Sequence, residues 1–327
     1  MDSKEELNWI NCVKAICIIL VFFAHSVEIS GQAIPDWLYR LYDPVYVNAF
    51  FFVSGYLLLG KRPSASKLSG NILFRLVIPS VIFATIEFFP KMLIKGSGFS
   101  PSSFLADTVG GGTYWFVSAL AVAQLLFMLL FLTRIRSIWF YVACSVAFAV
   151  IGMMIESSGV VLIGENDSLP WSYKQGLVCT LYMAVGGLYQ RYEKSVGLSA
   201  WLLVLLVLVY LSGSILGPGF IGGYSAYRCY VTPTGFVWSI LGTICVVETC
   251  KRLPRMSMLT FVGRNSILFY MMSGALPTVL TALLGHWMPV NIFAFLLIFI
   301  LSVAAAYALS AFIVRFLPSI KDLRTLK

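Results

Sequence analysis

Charged side chains are scarce in this chain, and their scarcity excludes an ordinary soluble domain. Only 11% of the 327 residues are charged, whereas 59% are apolar and the mean hydropathy is +0.89. Soluble domains carry about 25% charged residues on average. The apolar runs are continuous and do not alternate with polar residues, as the strands of a membrane β-barrel would. We therefore predict an all-α, polytopic integral membrane protein.

Cysteine spacings typical of metal or disulfide sites are also missing. The seven cysteines lie mostly inside apolar runs and show no CxxC pattern, so we expect neither a disulfide framework nor a metal site. No stretch outside the apolar runs is long enough for a soluble domain, which predicts a single transmembrane domain over residues 1–327. The absence of an internal repeat disfavours transporters built from duplicated halves.

The apolar runs predict about ten transmembrane helices, each near the ~20 residues that a bilayer core requires. The predicted spans are 10–28, 44–60, 71–90, 113–132, 137–155, 173–190, 198–216, 234–250, 261–284 and 290–316. With the N-terminus inside, the cytoplasmic segments hold seventeen lysines and arginines and the outer segments five. This positive-inside bias places both termini in the cytoplasm. The net charge of +9 then reflects topology, and no nucleic-acid partner is expected.

Two ionisable residues stand inside the first apolar run, at Lys14 and His25. Eleven residues correspond to about 1100° of helical rotation, so both side chains project from one face, ~16 Å apart along the axis. An ionisable pair at two depths of the membrane indicates a functional site entered from both sides. A cleaved signal peptide is the alternative interpretation of this segment, but Lys14 in its middle argues against cleavage.

The segment from Trp9 to His25 contains a basic residue, Lys14, followed by ten mostly apolar residues and a histidine, and it resembles the opening span of the membrane acyltransferase 3 family. Further pieces of that family's pattern follow in order and cover essentially the whole chain. They are Ala49–Leu58 (AFFFVSGYLL), Arg75 with Pro79, Tyr114–Leu120 (YWFVSAL), Gly186–Leu188, and Gly263–Ser266 (GRNS) with Tyr270.

The chain departs from the family pattern at three positions. Lys14 stands where much of the family has arginine, a form similar to the sugar O-acetyltransferases that resemble fucose 4-O-acetylase. Ile72 replaces the first arginine of an Arg-x-x-Arg pair that ends at Arg75. Ser273 replaces a histidine that often ends the motif of the ninth span. The chain therefore lacks that candidate for a second general base.

The resemblance implies transfer of an acyl group, usually acetyl from cytoplasmic acetyl-CoA, to a hydroxyl of an envelope or surface sugar. It places the chain in the plasma (inner) membrane, with acetyl-CoA as co-substrate and no tightly bound cofactor. The expected partners are acetyl-CoA, a glycan or lipid-linked sugar acceptor, and membrane lipids. An exporter or flippase of a glycan or lipid-linked intermediate is the alternative function, with the ionisable residues as a relay.

His25 suits the expected chemistry, because a positioned histidine can take the proton of an attacking hydroxyl. Glu28, one helical turn further, would orient the imidazole or stabilise its charged form, unless it is only a solvated residue at the outer edge. Lys14 would meet a CoA phosphate or polarise the thioester carbonyl, unless it snorkels to the inner headgroups.

Five further residues complete the predicted site. Arg75 and Arg264, at the inner ends of spans 3 and 9, would bind CoA phosphates, although ordinary positive-inside anchoring accounts equally well for each. Asn48, Tyr114 and Trp115 are candidates for acceptor contacts. Trp115 is also what an interfacial aromatic belt would contain.

Overall fold

The computed structural model describes residues 3–96, 98–159, 170–195, 197–217, 224–225, 230–285 and 291–317. These residues form fifteen α-helices, one π-helical turn and two strands of two residues, so the helical fold class is confirmed. The α-helices are α1 (Ser3–Ser30), α2 (Asp36–Tyr46), α3 (Asn48–Lys61), α4 (Ala65–Ile72), α5 (Ile78–Lys95), α6 (Pro101–Asp107), α7 (Trp115–Leu132), α8 (Ile138–Ser157), α9 (Tyr173–Tyr192), α10 (Ala200–Leu216), α11 (Pro233–Arg252), α12 (Ser257–Arg264), α13 (Ser266–Met272), α14 (Ala275–Leu284) and α15 (Ile292–Phe316). The π turn is Leu73–Val77, and the strands Tyr224–Ser225 and Tyr230–Val231 form a two-stranded sheet.

Six helical segments within the described residues are long and apolar enough to cross a membrane, and they become seven if the bent pair α13–α14 forms one span. These segments are Asn8–Ser30, Ala65–Leu93, Trp115–Leu132, Ile138–Ser157, Pro233–Arg252 and Ile292–Phe316. Multi-pass membrane architecture follows from them. The count of ten spans and the orientation of the termini stay predictions.

Ten spans were predicted, and six segments of the described residues meet the criteria for a span. The other predicted spans differ from these six for structural reasons. The predicted span 44–60 corresponds to the end of α2, a break at Val47 and the 14-residue helix α3. Helix α10 has 17 residues, below the usual length for a span. Helix α9 has 20 residues but contains Lys174 and Arg191. Average hydropathy over a stretch of sequence measures apolar content and does not show a break in the helix axis.

The chain divides into two compact units. The first comprises Met1–Phe50, Gly197–Tyr224 and Thr232–Pro318, and the second comprises Phe51–Val196, Ser225–Val231 and Ser319–Lys327. In the first unit α1 is central and packs against α2, α11, α12, α13, α14 and α15. In the second unit α9 packs against both α7 and α8. The prediction of one domain over the whole chain is not tested by this division.

Candidate functional site

Helix α1 of the first unit carries three of the predicted site residues, and it is continuous through Lys14, His25 and Glu28. Between Lys14 and His25 the same stripe holds Ile18 and Val21, which are buried. The stripe therefore faces protein, as expected for ionisable groups within a membrane span. Lys14 and His25 themselves are only partly buried.

His25 and Glu28 lie within ion-pair distance. The imidazole Nδ1 is 3.7 Å from Glu28 Oε2, with the two side chains 35% and 80% exposed. That distance is longer than a hydrogen bond, and catalytic contacts often tighten only when substrate binds. Because Nδ1 faces the carboxylate, Nε2 is the nitrogen left to accept a proton from an incoming hydroxyl.

An aromatic helix borders this end of α1. On α2, Tyr42 contacts Tyr39 and Tyr46 with ring centroids 5.6 and 5.8 Å apart, and it packs edge-on against Phe23 of α1 at 5.4 Å. Phe23 precedes His25 by two residues, which corresponds to about 200° of helical rotation, so the tyrosines border α1 at the level of the predicted base but on another face of the helix. We did not predict this cluster, although tyrosines at positions i, i+3 and i+7 are a readable helical stripe.

Asp43 lies among these tyrosines and is partly buried. Burial raises the pKa of its carboxyl to about 6, while hydrogen bonds from Tyr39 and Tyr46 act in the opposite direction. A carboxyl group with phenolic hydroxyls around it offers the donors and acceptors that sugar hydroxyls require. The sequence pattern marked Asp43 only as an acidic residue of an outer segment.

An apolar cavity of about 390 Å³ lies on the opposite face of α1, between α1, α2, α10 and α11. Its α1 residues are Ile16, Leu20 and Phe23. They project about 120–180° away from Lys14 on an α-helix. The cavity therefore does not connect the lysine with the histidine.

Asn48 is fully buried at the start of α3, where the chain breaks from α2. Its amide nitrogen donates to Pro44 O and to Ser239 Oγ, both at 2.7 Å, and Ser239 Oγ donates to Pro44 O at 2.6 Å. These bonds satisfy a carbonyl that the helix break leaves without its backbone partner. Asn48 thus has a structural role, and its predicted contact with acceptor is not tested.

Arg264 ends α12 and is exposed, and its neighbour Gly263 fixes its position against α1. A Cβ at Gly263 would collide with the backbone carbonyl of Asn11. Only glycine permits α12 to approach α1 this closely. Asn11 is one turn before Lys14, so the crossing holds the Arg264 backbone near the level of the lysine.

The remaining predicted residues belong to the second unit. Arg75 is exposed and lies in the π turn between α4 and α5, a feature that recurs at functional sites. Tyr114 is buried directly before α7, and Trp115 begins that helix partly exposed. The preceding loop is held by Ser118 Oγ, which donates to Gly111 O at 3.1 Å. The start of α7 is therefore a fixed position in this unit.

A comparison with known families extends over nearly the whole chain. The family model described as an acyltransferase domain, that of acyltransferase 3, matches residues 7–311. The chain belongs to the acyltransferase 3 family. No curated protein and no solved structure shows significant similarity to it.

Two glycine motifs of this acyltransferase 3 chain have a packing explanation. A Cβ at Gly55 of α3 would collide with the backbone of Met183 on α9, and a Cβ at Gly186 would collide with the carbonyl of Phe52. The two helices therefore cross with their backbones almost in contact. These parts of the family pattern preserve a helix crossing, whereas Lys14, His25 and Arg264 carry groups suited to chemistry.

The third departure from the acyltransferase 3 pattern, Ser273, lies at the 40° bend between α13 and α14. Its hydroxyl is buried and donates to Tyr270 O at 2.7 Å. The serine thus satisfies a backbone carbonyl of its own helix end. His286, the second histidine of the chain, lies outside the described residues.

Proposed function

We propose that this membrane acyltransferase moves an acetyl group from cytoplasmic acetyl-CoA to a hydroxyl of an envelope or surface polysaccharide sugar. The family shows acyl transfer in a membrane protein. The acetyl donor, the sugar acceptor and the plasma (inner) membrane location are our proposals. They follow from what the family resemblance implies, and the arrangement of ionisable groups on α1 supports the transfer chemistry.

In the proposed reaction, the acceptor oxygen attacks the carbonyl carbon of the thioester while His25 Nε2 takes the hydroxyl proton. The C–S bond then breaks, and the CoA thiolate leaves and is protonated. Glu28, 3.7 Å from Nδ1, would orient the imidazole and favour its charged form after proton transfer. This direct transfer needs no acetylated intermediate on the enzyme.

The observation that carries the proposal is the single helix α1, which holds Lys14 and His25 on one protein-facing stripe. Eleven residues separate them, which corresponds to ~16 Å along the axis. Lys14 would bind a donor phosphate from the cytoplasmic side, with Arg264 near its level. His25 would meet the acceptor at the outer side, at the level of the tyrosines of α2.

We propose roles in substrate binding for Arg75, Tyr114 and Trp115 of the second unit as well. Arg75 would bind a CoA phosphate, because a guanidinium group grips phosphate in a bidentate manner. Tyr114 and Trp115 would offer aromatic faces to the sugar ring. Of these two, Trp115 is the more accessible.

The test is an acetyl-transfer assay with full-length protein in lipid nanodiscs, radiolabelled acetyl-CoA and an envelope glycan acceptor. Replacing a general base lowers rates by about 10²- to 10⁴-fold, so we expect His25→Ala to lose transfer to at least that extent. Arg255→Gln, an exposed control, should retain activity. Unchanged transfer in His25→Ala would overturn the proposed base, and glycan movement without any acetylation would favour the exporter alternative.

A further inference from the structure

A basic cavity of about 540 Å³ lies in the second unit, and none of the residues proposed above lines it. It is formed at the C-terminal ends of α3 and α9 and the N-terminal end of α8. We define the basic cavity by its polar lining residues, Arg62, Arg136, Gln190, Arg191 and Lys194. Its cations come from three segments that the sequence predicts to be cytoplasmic.

Arg62 is held in place before any ligand arrives. Its backbone adopts a φ of 39°, a conformation uncommon for a residue with a side chain. Its Nη2 donates to Arg136 O at 2.8 Å, and its guanidinium lies 5.0 Å from the ring centre of Tyr141. Tyr141 is itself buried and donates to Ile135 O at 2.6 Å. Such preorganisation lowers the entropic cost of binding.

The crossing of α3 and α9 brings the other cations to the same place. A Cβ at Gly187 would collide with Leu59, and a Cβ at Gly60 would lie 3.1 Å from the side chain of Gln190. The close approach of the two backbones thus sets the end of α9 beside the end of α3. Arg191 lies in the last turn of α9, and Lys194 follows two residues after its end.

The positive charge of the basic cavity is not neutralised within the described part of the chain. No carboxylate there lies within ion-pair distance of Arg62, Arg136, Arg191 or Lys194. The neighbouring Glu193 accepts a hydrogen bond from Tyr56 at 2.8 Å. The positive-inside rule explains cations in each loop separately, but it does not require four of them to converge on one concavity.

We propose that the basic cavity binds a phosphate-bearing anion. Guanidinium groups match phosphate oxygens with paired hydrogen bonds, and converging cations favour a multiply charged ligand. The phosphates could come from the nucleotide end of CoA or from an anionic phospholipid headgroup. The first source rests on the proposed function and deepens it, since it would anchor the donor in a cavity separate from Lys14, Arg75 and Arg264.

The segment between α7 and α8 offers a matched pair of variants. Arg136→Gln removes a cation that lines the basic cavity, while Arg134→Gln removes one two residues away that does not. Both side chains are exposed, so both variants should fold. Because the bond from Arg62 is to the backbone oxygen of residue 136, it survives the substitution.

The experiment measures binding of adenosine 3′,5′-bisphosphate by calorimetry to full-length protein in phosphatidylcholine nanodiscs. A parallel arm measures fluorescent phosphatidylglycerol binding to the detergent-purified protein. In one arm at least, Arg136→Gln should weaken binding about tenfold, and Arg134→Gln should leave it unchanged. The responsive arm identifies the source of the phosphate. Equal effects of the two variants in both arms, or no binding in either, would overturn the proposal.

Acetyl transfer separates failure of this site from failure of the proposed function. If transfer depends on His25 but Arg136→Gln alters neither binding nor the KM for acetyl-CoA, the basic cavity proposal is wrong and the reaction stands. Suppose instead that no acetyl transfer is found, and that phosphatidylglycerol binding is weakened by Arg136→Gln but not by Arg134→Gln. The cavity proposal then stands and the proposed reaction fails.

Discussion

At the scale of single residues, the chemistry of this protein depends on a few polar groups among many apolar ones. His25 and Glu28 lie within ion-pair distance, and Asp43 is gathered among tyrosines of α2 on the same side of the first unit. A polar group in a membrane span is costly unless it is paired or functional. The roles of these residues can therefore be separated by substitution.

Lys14 should act mainly on the donor. We expect Lys14→Ala to raise the KM for acetyl-CoA by about tenfold or more with a smaller change in kcat, because a lost charge-assisted contact costs roughly 1.5–3 kcal/mol. Lys14→Arg should restore most of the donor affinity, since arginine keeps the charge. Steady-state kinetics over a range of acetyl-CoA concentrations would check this, and a KM that is unchanged in Lys14→Ala would contradict it.

Asp43 should make stability depend on pH. Because burial raises its pKa to about 6, the folded state favours the neutral carboxyl, and stability is lost as the pH rises from about 4 to 6. Asp43→Asn should reduce that loss, by about 3 kcal/mol at most. Thermal unfolding at pH 4.5, 6 and 7.5 would measure it.

The exposed Asp36 at the start of α2 provides the control for this measurement. Asp36→Asn should follow the wild-type pH dependence, because an exposed carboxyl has no comparable burial to overcome. If Asp43→Asn and the wild type show parallel curves, the environment assigned to Asp43 is wrong.

At the scale of helices, close crossings position the functional side chains. The motif glycines Gly55, Gly186 and Gly263 lie where a Cβ would meet the backbone of another helix. The π turn at Leu73–Val77 likewise changes the direction in which Arg75 projects relative to a regular helix. Residue patterns marked these positions as members of motifs, but the reason for each is the contact across helices.

Gly263→Ala should destabilise the first unit. The added methyl group would meet the Asn11 carbonyl, and overpacking of this kind costs about 1–3 kcal/mol. Gly274→Ala is the matched control, because nothing lies within 4 Å of its Cβ and its φ is −88°. Thermal unfolding in detergent should show a lower Tm for Gly263→Ala only. Equal Tm values for the two variants would contradict the tight crossing of α1 and α12.

At the scale of the whole molecule, orientation in the membrane decides which substrate reaches which residue. The bias of lysines and arginines predicts that Lys14 lies toward the cytoplasm and His25 toward the outside. This assignment puts the donor and the acceptor on opposite sides. It is an independent prediction, since the helices themselves are compatible with either direction.

Reporter fusions can test the orientation directly. Alkaline phosphatase, which is active only outside the cytoplasm, should be active when fused after Gly98, in the segment between α5 and α6. It should be inactive when fused after Thr133, in the segment between α7 and α8. The reverse pattern would exchange the sides assigned to donor and acceptor, and would place the basic cavity outside the cytoplasm.

Much of the architecture could be predicted because hydropathy and charge act locally along the chain. The continuous helix α1 with Lys14 and His25 on one stripe follows from its composition and the helical repeat. The break at Val47 and the bend before α14 were not predictable in this way, since each lies inside a predicted span whose average hydropathy does not show where the helix axis breaks. The tyrosine stripe of α2 was not predicted because Tyr39 and Tyr42 fall in the outer segment and Tyr46 in the predicted span 44–60.

The sequence by itself determined the membrane class, the helical fold and the family, because these depend on composition and on motifs read in order. The tertiary structure decided which residues meet: Tyr42 with Phe23 at the level of His25, Gly263 with Asn11 near Lys14, and Arg62 with Arg136 in the basic cavity. These pairs are far apart in sequence, except for the first. Their contacts depend on how closely helix backbones cross, and that distance is set by packing between helices and not by any local pattern.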